Sequence, residues 1–186
     1  MTEDMAELRE RLQTRWSVPD HRRKLVVVVA ALRAGREWPS LLAGLPEIED
    51  VLNRRDLRGA PLAGADLSGT DLREASLDFV DLSGAVLDGA DLRGAIMLYA
   101  DLRQASLRGA DLQRSMLPRA DLSGARLVSA RLVSATLTGS NLTGSDLTNA
   151  DLTRAGLFGV RSDSADFSGA ILDQAIIGQF APEVDQ

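Results

Sequence analysis

Residues 80–104 read VDLSGAVLDGADLRGAIMLYADLRQ, and a large apolar residue falls at every fifth place, at Leu82, Leu87, Leu92, Met97 and Leu102. Followed outward, the same beat runs from Leu57 to Ile177. Of its 25 positions 21 are Leu; the others are Met97, Phe167, Ile177 and the one exception, Ser162. Two residues before each of these, from Ala60 onward, stands a small residue: 18 Ala, three Ser, one Thr and two Val. The phase never slips, so no loop interrupts the run.

A period of five fits neither regular element. On an α-helix five residues advance the side chain by about 140°, so the Leu residues would spiral round the helix. On a flat strand an odd step alternates faces and sends every second Leu into water. The pattern is consistent if the chain turns a corner after each short extended piece. Every Leu then points inward, four sides close a coil, and the small residue two places earlier faces in near the corner. Such a unit cannot bury its apolar face alone but can when stacked on copies of itself.

The motif appears as ADLSG (65–69), ADLRG (90–94), ADLRQ (100–104), ADLQR (110–114), SNLTG (140–144), SDLTN (145–149) and ADLTR (150–154). In this the chain resembles the pentapeptide-repeat family, whose motif is a small residue, Asp or Asn, Leu and two variable residues. The resemblance implies an all-β solenoid: a right-handed quadrilateral β-helix of about six coils, roughly 30 Å long at strand spacing. We expect a helical capping or docking segment over 1–50, the β-helix over 51–178 and a carboxy-terminal tail over 179–186. Each buried Leu is worth roughly 1.5–3 kcal/mol against chain entropy. Ser162 and its large neighbour Phe167 are expected to compensate in volume within the core.

Before the repeats the beat is absent and the chain reads as helical. Met5, Leu8, Leu12 and Trp16 fall on one stripe at helical spacing. SVPD (17–20) suggests a second helix with Ser17 as cap, Pro19 in the first turn and Asp20 in the capping-box place, ending near Gly35. PSLLAGLPEIEDVL (39–52) suggests short turns feeding the first strand. These helices are expected to cover the end of the solenoid, where exposed strand backbone invites aggregation. At the other end Ile176, Ile177 and Phe180 are placed to close the last coil or to form a dimer contact; a homodimer there is implied by resemblance only.

Composition narrows the function. The chain has no Cys and an acidic amino terminus, MTEDMAELRE; its longest apolar run, LVVVVAAL (25–32), is far too short to span a bilayer. A cytoplasmic protein that does not enter membranes is expected. Net charge is −6. The repeat region 56–177 holds 11 Arg against 16 Asp and Glu, with no basic stripe, which argues against direct nucleic-acid binding. With one His, no Walker loop, no dinucleotide fingerprint and no paired metal-ligand motif, we expect no enzyme, no cofactor and no metal. The recurrent Asp71, Asp91 and Asp111 are expected to accept backbone N–H groups at the corners.

Taking every twentieth residue reads the sides of the coil. The side of Leu57, Leu77, Met97, Leu117, Leu137 and Leu157 carries Phe79, Ile96, Leu98, Tyr99, Met116, Pro118 and Phe158 at outward positions, with Phe79 and Tyr99 stacked one coil apart. An apolar surface of this kind usually marks an interface. The next side carries Asp81, Asp101, Asp121 and Asp163; the one after it carries Asp66, Asp88, Asp146 and Asp166; each nets −2. The leading expectation is a non-catalytic interaction or scaffold protein with a protein partner. The alternative comes from the resemblance: some bacterial pentapeptide-repeat proteins mimic the DNA duplex, bind the type II topoisomerases DNA gyrase and topoisomerase IV, and protect them from quinolone-like poisons.

Overall fold

The computed structural model describes residues 2–36 and 55–178. Two helices come first. Helix α1 spans Thr2–Thr14, a single 3₁₀ turn covers Arg15–Ser17, and α2 spans Pro19–Arg33. The expected stripe is real: Leu12 and Trp16 are buried, and Met5 and Leu8 are half-buried. The expected Ser17 cap is not formed. Its hydroxyl donates to the Thr14 carbonyl at 2.6 Å, finishing the preceding turn, and Val18 in extended conformation precedes Pro19 as the cap. Asp20 pairs with Arg23 at 3.1 Å instead of reaching back. Helix α2 ends as read, with Gly35 at φ 61° and the Arg36 N–H bonded to the Ala31 carbonyl. The segment 39–52 lies outside the described residues.

From residue 55 the chain repeats one unit. An isolated β-bridge residue is followed by the inward Leu and a two-residue turn, and the unit recurs every five residues. The N–H of the small residue closes each turn on the Leu carbonyl, as from Ala60 to Leu57 at 3.0 Å. Bridges join residues twenty apart, always parallel, from Asp56↔Ser76 to Asp151↔Ile171. A coil therefore closes every twenty residues with four bridge positions, and the chain is a four-sided β-helix. Each side is too short for continuous strands. The only two among the described residues, β1 (Gly156–Phe158) and β2 (Ile176–Gly178), are three residues long and pair in parallel.

The hydrogen bonds between coils are directional. On each side the N–H of the inward residue and of the residue two further on donate to the next coil, as Leu57 to Ser76 (2.9 Å) and Gly59 to Asp78 (2.8 Å). One bond returns, as from the Asp81 N–H to the Ala60 carbonyl at 3.0 Å. The inward Leu column from Leu57 to Leu157 is closed to solvent together with nearly all of its small partners.

Trp16, Leu25, Val28, Ala31 and Leu32 join the same apolar cluster as Leu57 and Leu62, so the helices cover the first coil. The contact matches the polarity of that end, which leaves carbonyls pointing outward: Arg15 Nη2 (2.8 Å) and Trp16 Nε1 (2.9 Å) both donate to the Arg58 carbonyl. Arg15 also grips the buried Asp56 with both terminal nitrogens, at 2.9 and 3.1 Å. Burial alone would raise the Asp56 carboxyl, but the bonds from Arg58 and Arg15 outweigh it and hold the group below its ordinary range.

At the far end the expected volume compensation is not needed. Ser162 is exposed and Phe167 only half-buried, because their layer is the last of the described coils.

Candidate interaction surface

The side centred on Leu57 and Leu77 departs from the others at the bridge position. Ser76, Ile96, Met116, Thr136 and Gly156 form one column of successive bridges with no charge in it, whereas the neighbouring columns carry mostly Asp and Arg. Ile96 is 36% and Met116 46% exposed, with the partly exposed Leu98, Tyr99, Pro118 and Phe158 around them. From Ile96 to Gly159 the outward positions of this side hold a single charge, Arg119.

Phe79 and Tyr99 stack as expected, with centroids 5.4 Å apart and planes 8° from parallel. Arg119 continues the ladder, its guanidinium 5.6 Å from the Tyr99 centroid and bonded to the Tyr99 hydroxyl. Phe79, however, is not on the surface: it is 4% exposed. Helix α1 runs along this corner. The Leu12 backbone passes so close to Gly59 that a Cβ there would sit 2.6 Å from the Leu12 carbonyl carbon. Further along the rod, the Arg9 charge adds to the larger effect of Arg103 in holding the Asp101 carboxyl low. The exposed apolar surface is thus narrower than the sequence suggested and centres on Ile96 and Met116.

The carboxylates on the acidic sides are mostly engaged locally. Asp81 and Asp146 accept from the backbone and hydroxyl of Ser83 and Thr148. Asp121 takes the Ser123 N–H and the Asn141 amide, and Asp166 takes the Ser168 N–H. Asp101 is ion-paired to Arg103 at 2.6 Å and Asp66 to Arg33 at 3.0 Å. Asp163 is exposed near the open end. On the fourth side Asp71, Asp91 and Asp111 accept backbone N–H groups two residues on, as expected. Arg73, Arg93 and Arg131 then lace them into a ladder of alternating charge.

Sequence reasoning missed Asp78. Where other sides carry Asp at the bridge position, its Oδ1 takes the N–H two residues on; here Ile96 leaves the Leu98 N–H without that acceptor. Asp78 reaches up from the coil below and accepts it at 2.9 Å. Asp88 does the same for Arg108 at 3.0 Å, where Ser106 stands in the bridge column. Burial pushes the Asp78 carboxyl up to about 6, against the opposing pull of the Leu98 N–H and Arg58. The signal was an Asp just after the inward Leu, one coil before a non-Asp bridge residue.

Two shallow grooves open elsewhere, one lined by Arg73, Glu74, Arg93, Gly94, Gln113 and Arg114, the other between α1 and the start of α2 beside His21. Among the described residues no three His, Cys, Asp or Glu side chains are grouped to hold a metal ion, and no helix is long and apolar enough to cross a membrane.

The family model for pentapeptide repeats matches in eight copies, over residues 56–89, 85–124 and 117–154, which together run without a gap through more than half of the chain. The chain belongs to the pentapeptide-repeat family. Solved structures of pentapeptide-repeat proteins are similar to it. HetL, involved in heterocyst differentiation regulation in the cyanobacterium Nostoc, is 27% identical, with a TM-score of 0.46; the match covers 70% of this chain and 88% of HetL. A protein of the Arabidopsis thaliana thylakoid lumen is 33% identical over 51% of this chain and 66% of its own, with a TM-score of 0.33. QnrB1, a plasmid-mediated fluoroquinolone resistance protein, is 20% identical over 60% of this chain and 79% of its own, with a TM-score of 0.26. No curated protein matches the sequence.

Proposed function

We propose that this pentapeptide-repeat protein is a non-catalytic interaction or scaffold protein of the cytoplasm. It is a right-handed quadrilateral β-helix of about six coils, with the 1–50 segment as its cap, that presents one flat side to a protein partner. The observation that carries this reading is the exposed pair Ile96 and Met116, on a side with a single charge between Ile96 and Gly159. A rigid rod holds such a surface in place without ordering cost at binding, and apolar side chains on a flat ladder suit burial against a second protein.

The test is affinity capture from the source cells with the wild type and an Ile96→Asp/Met116→Asp variant of unchanged circular dichroism. The wild type is expected to retain a specific protein that the variant loses; identical captured sets would sink the reading.

A second reading has a type II topoisomerase as the partner. It is favoured by the column Asp81, Asp101 and Asp121, bridged one above another on a rod-shaped chain. It is weakened by the Arg103 pair on Asp101 and by the 11 Arg between 56 and 177. A gyrase supercoiling assay with and without a quinolone decides it: no inhibition and no rescue at micromolar protein removes it. The exposure of Ile176 and Ile177, 65% and 71%, supports a homodimer contact at that end, which sedimentation reads out; Phe180 lies outside the described residues.

A further inference from the structure

The apolar side differs from the rest of the rod in its charges as well. In four successive layers, this side and its two corners comprise residues 94–99, 114–119, 134–139 and 154–159. These hold Arg114, Arg119 and Arg154 and no Asp or Glu, in a chain of net charge −6. The other three sides, taken over the same layers, each carry at least two Asp. Arg114 and Arg154 stand two coils apart on the corner beside the Ile96 and Met116 column, and Arg119 stands on the opposite corner.

Among the described residues none of these three cations is paired with a carboxylate. Arg154 donates to the Gln174 amide oxygen at 2.9 Å, and Arg119 to the Tyr99 hydroxyl. On the neighbouring sides Arg73, Arg93, Arg103 and Arg131 are each paired with Asp. The groove at the Arg114 corner has Gly94 as its floor, where the turn column carries no side chain between Glu74 and Arg114. It opens directly beside Ile96 and Met116, two residues along the chain from Gly94 and Arg114.

We infer that the partner of this side is an acidic amphipathic helix of another protein. It lies along the rod with its apolar stripe on Ile96 and Met116 and its carboxylates at Arg114, Arg154 and Arg119. The inference rests on the reading of this side as a protein contact and adds the chemistry of what it binds. From the layer of Ile96 to that of Gly156 is three coil steps, roughly 14 Å, the length of about ten helical residues. Arg114 and Arg154, roughly 10 Å apart, match carboxylates about seven residues apart on one flank of such a helix, and Arg119 meets the other flank. The rod already seats a helix, since α1 lies along the next corner with Leu12 on Gly59. A second copy suits the side poorly, because a two-fold contact sets the three Arg against their own counterparts. A lipid or nucleic-acid surface is broad and would bring its phosphates against the Asp of the flanking columns.

The probes are three synthetic peptides of about 14 residues, held helical by a side-chain staple, with one Leu stripe and either Glu, Gln or Lys on both of its flanks. Binding to the full chain is followed by fluorescence polarisation at about 50 and 500 mM salt. At low salt the Glu peptide is expected to bind at least tenfold more tightly than the Gln peptide, and the Lys peptide more weakly than either. High salt should erase the difference. An Arg114→Gln/Arg119→Gln/Arg154→Gln variant of unchanged circular dichroism should bind the Glu peptide at least tenfold more weakly and the Gln peptide within twofold of wild type. Ile96→Asp/Met116→Asp should abolish binding of the Glu peptide. Equal binding of the Glu and Gln peptides, lost in the Ile96→Asp/Met116→Asp variant, overturns the acidic helix and leaves the contact surface standing. Binding of no peptide, or binding that neither variant weakens, overturns the inference as well. So does cosedimentation with phosphatidylserine vesicles that the Arg variant loses, which assigns the side to a lipid surface. A dimer that Met116→Asp dissolves assigns it to a second copy, with the same consequence.

Discussion

Replacing Asp78 by Asn should stabilise this protein at neutral pH, contrary to the rule that changes in a buried polar network destabilise. The Asn Oδ1 can still accept the Leu98 N–H now bonded to Asp78 at 2.9 Å, so the coil-to-coil link survives. What disappears is a carboxylate whose charge is penalised by burial and whose pKa is pushed from 3.8 to about 6. A raised folded-state value means that the wild type is favoured below about pH 4, where Asp78 is protonated, and loses that contribution as pH rises through about 6. At about 1.4 kcal/mol per pH unit, the full shift corresponds to roughly 3 kcal/mol above pH 7. Partial exposure and the nearby Arg58 bring the expected gain to about 1–3 kcal/mol. The assay is urea unfolding of wild type and variant at pH 4, 5.5 and 7.5, followed by circular dichroism. Taking the difference between the two proteins cancels carboxylates such as Asp56, whose lowered values give the opposite pH slope. The gain should be absent at pH 4 and complete by pH 7.5. A variant that is less stable at pH 7.5, or a difference that does not change with pH, would refute the burial argument.

Other outcomes follow from the helix–coil junction and from the two ends of the core. Gly59→Ala puts a Cβ 2.6 Å from the Leu12 carbonyl carbon at a φ of 67°, and should cost about 2–4 kcal/mol, seen as faster amide exchange in α1. Arg15→Met leaves Asp56 with Arg58 alone and should cost about 2–4 kcal/mol at pH 7. That loss should shrink in acid, since the stabilisation from a depressed carboxyl is present above its unfolded pKa of about 3.8 and lost below it. Leu117→Ala, in the closed column, should cost about 2–5 kcal/mol, and Leu172→Ala in the open last coil less than about 1 kcal/mol, compared by thermal unfolding.

Most of the coil was legible because one constraint repeats. A Leu every fifth residue with Ala two places earlier admits a single way of closing, and reading at a period of twenty placed Phe79 over Tyr99 correctly. The same reading could not see that Phe79 is buried, because what lies against the Phe79 corner is helix α1, whose path is set by contacts far away in sequence: Leu12 on Gly59 and Arg15 on Asp56. The Ser17 cap failed for a related reason. The pattern SVPD offered a hydroxyl in the right place, but the preceding 3₁₀ turn took it. Ser162 and Phe167 were read as a balanced pair within a closed core, and the repeat alone does not say where stacking stops. Asp78 shows the finer limit: its role depends on the residue eighteen positions later, Ile96, leaving an N–H unclaimed.

The central claim is that one of four similar sides makes the protein contact, and four single charge insertions test it directly. Met116→Asp alters the proposed side; Ser123→Asp, Val128→Asp and Val133→Asp alter the other three at outward positions one coil high. Affinity for the captured partner, measured by titration calorimetry, should fall at least tenfold for Met116→Asp and less than twofold for the rest. Equal losses on all four sides, or a loss confined to a side other than that of Met116, would contradict the account.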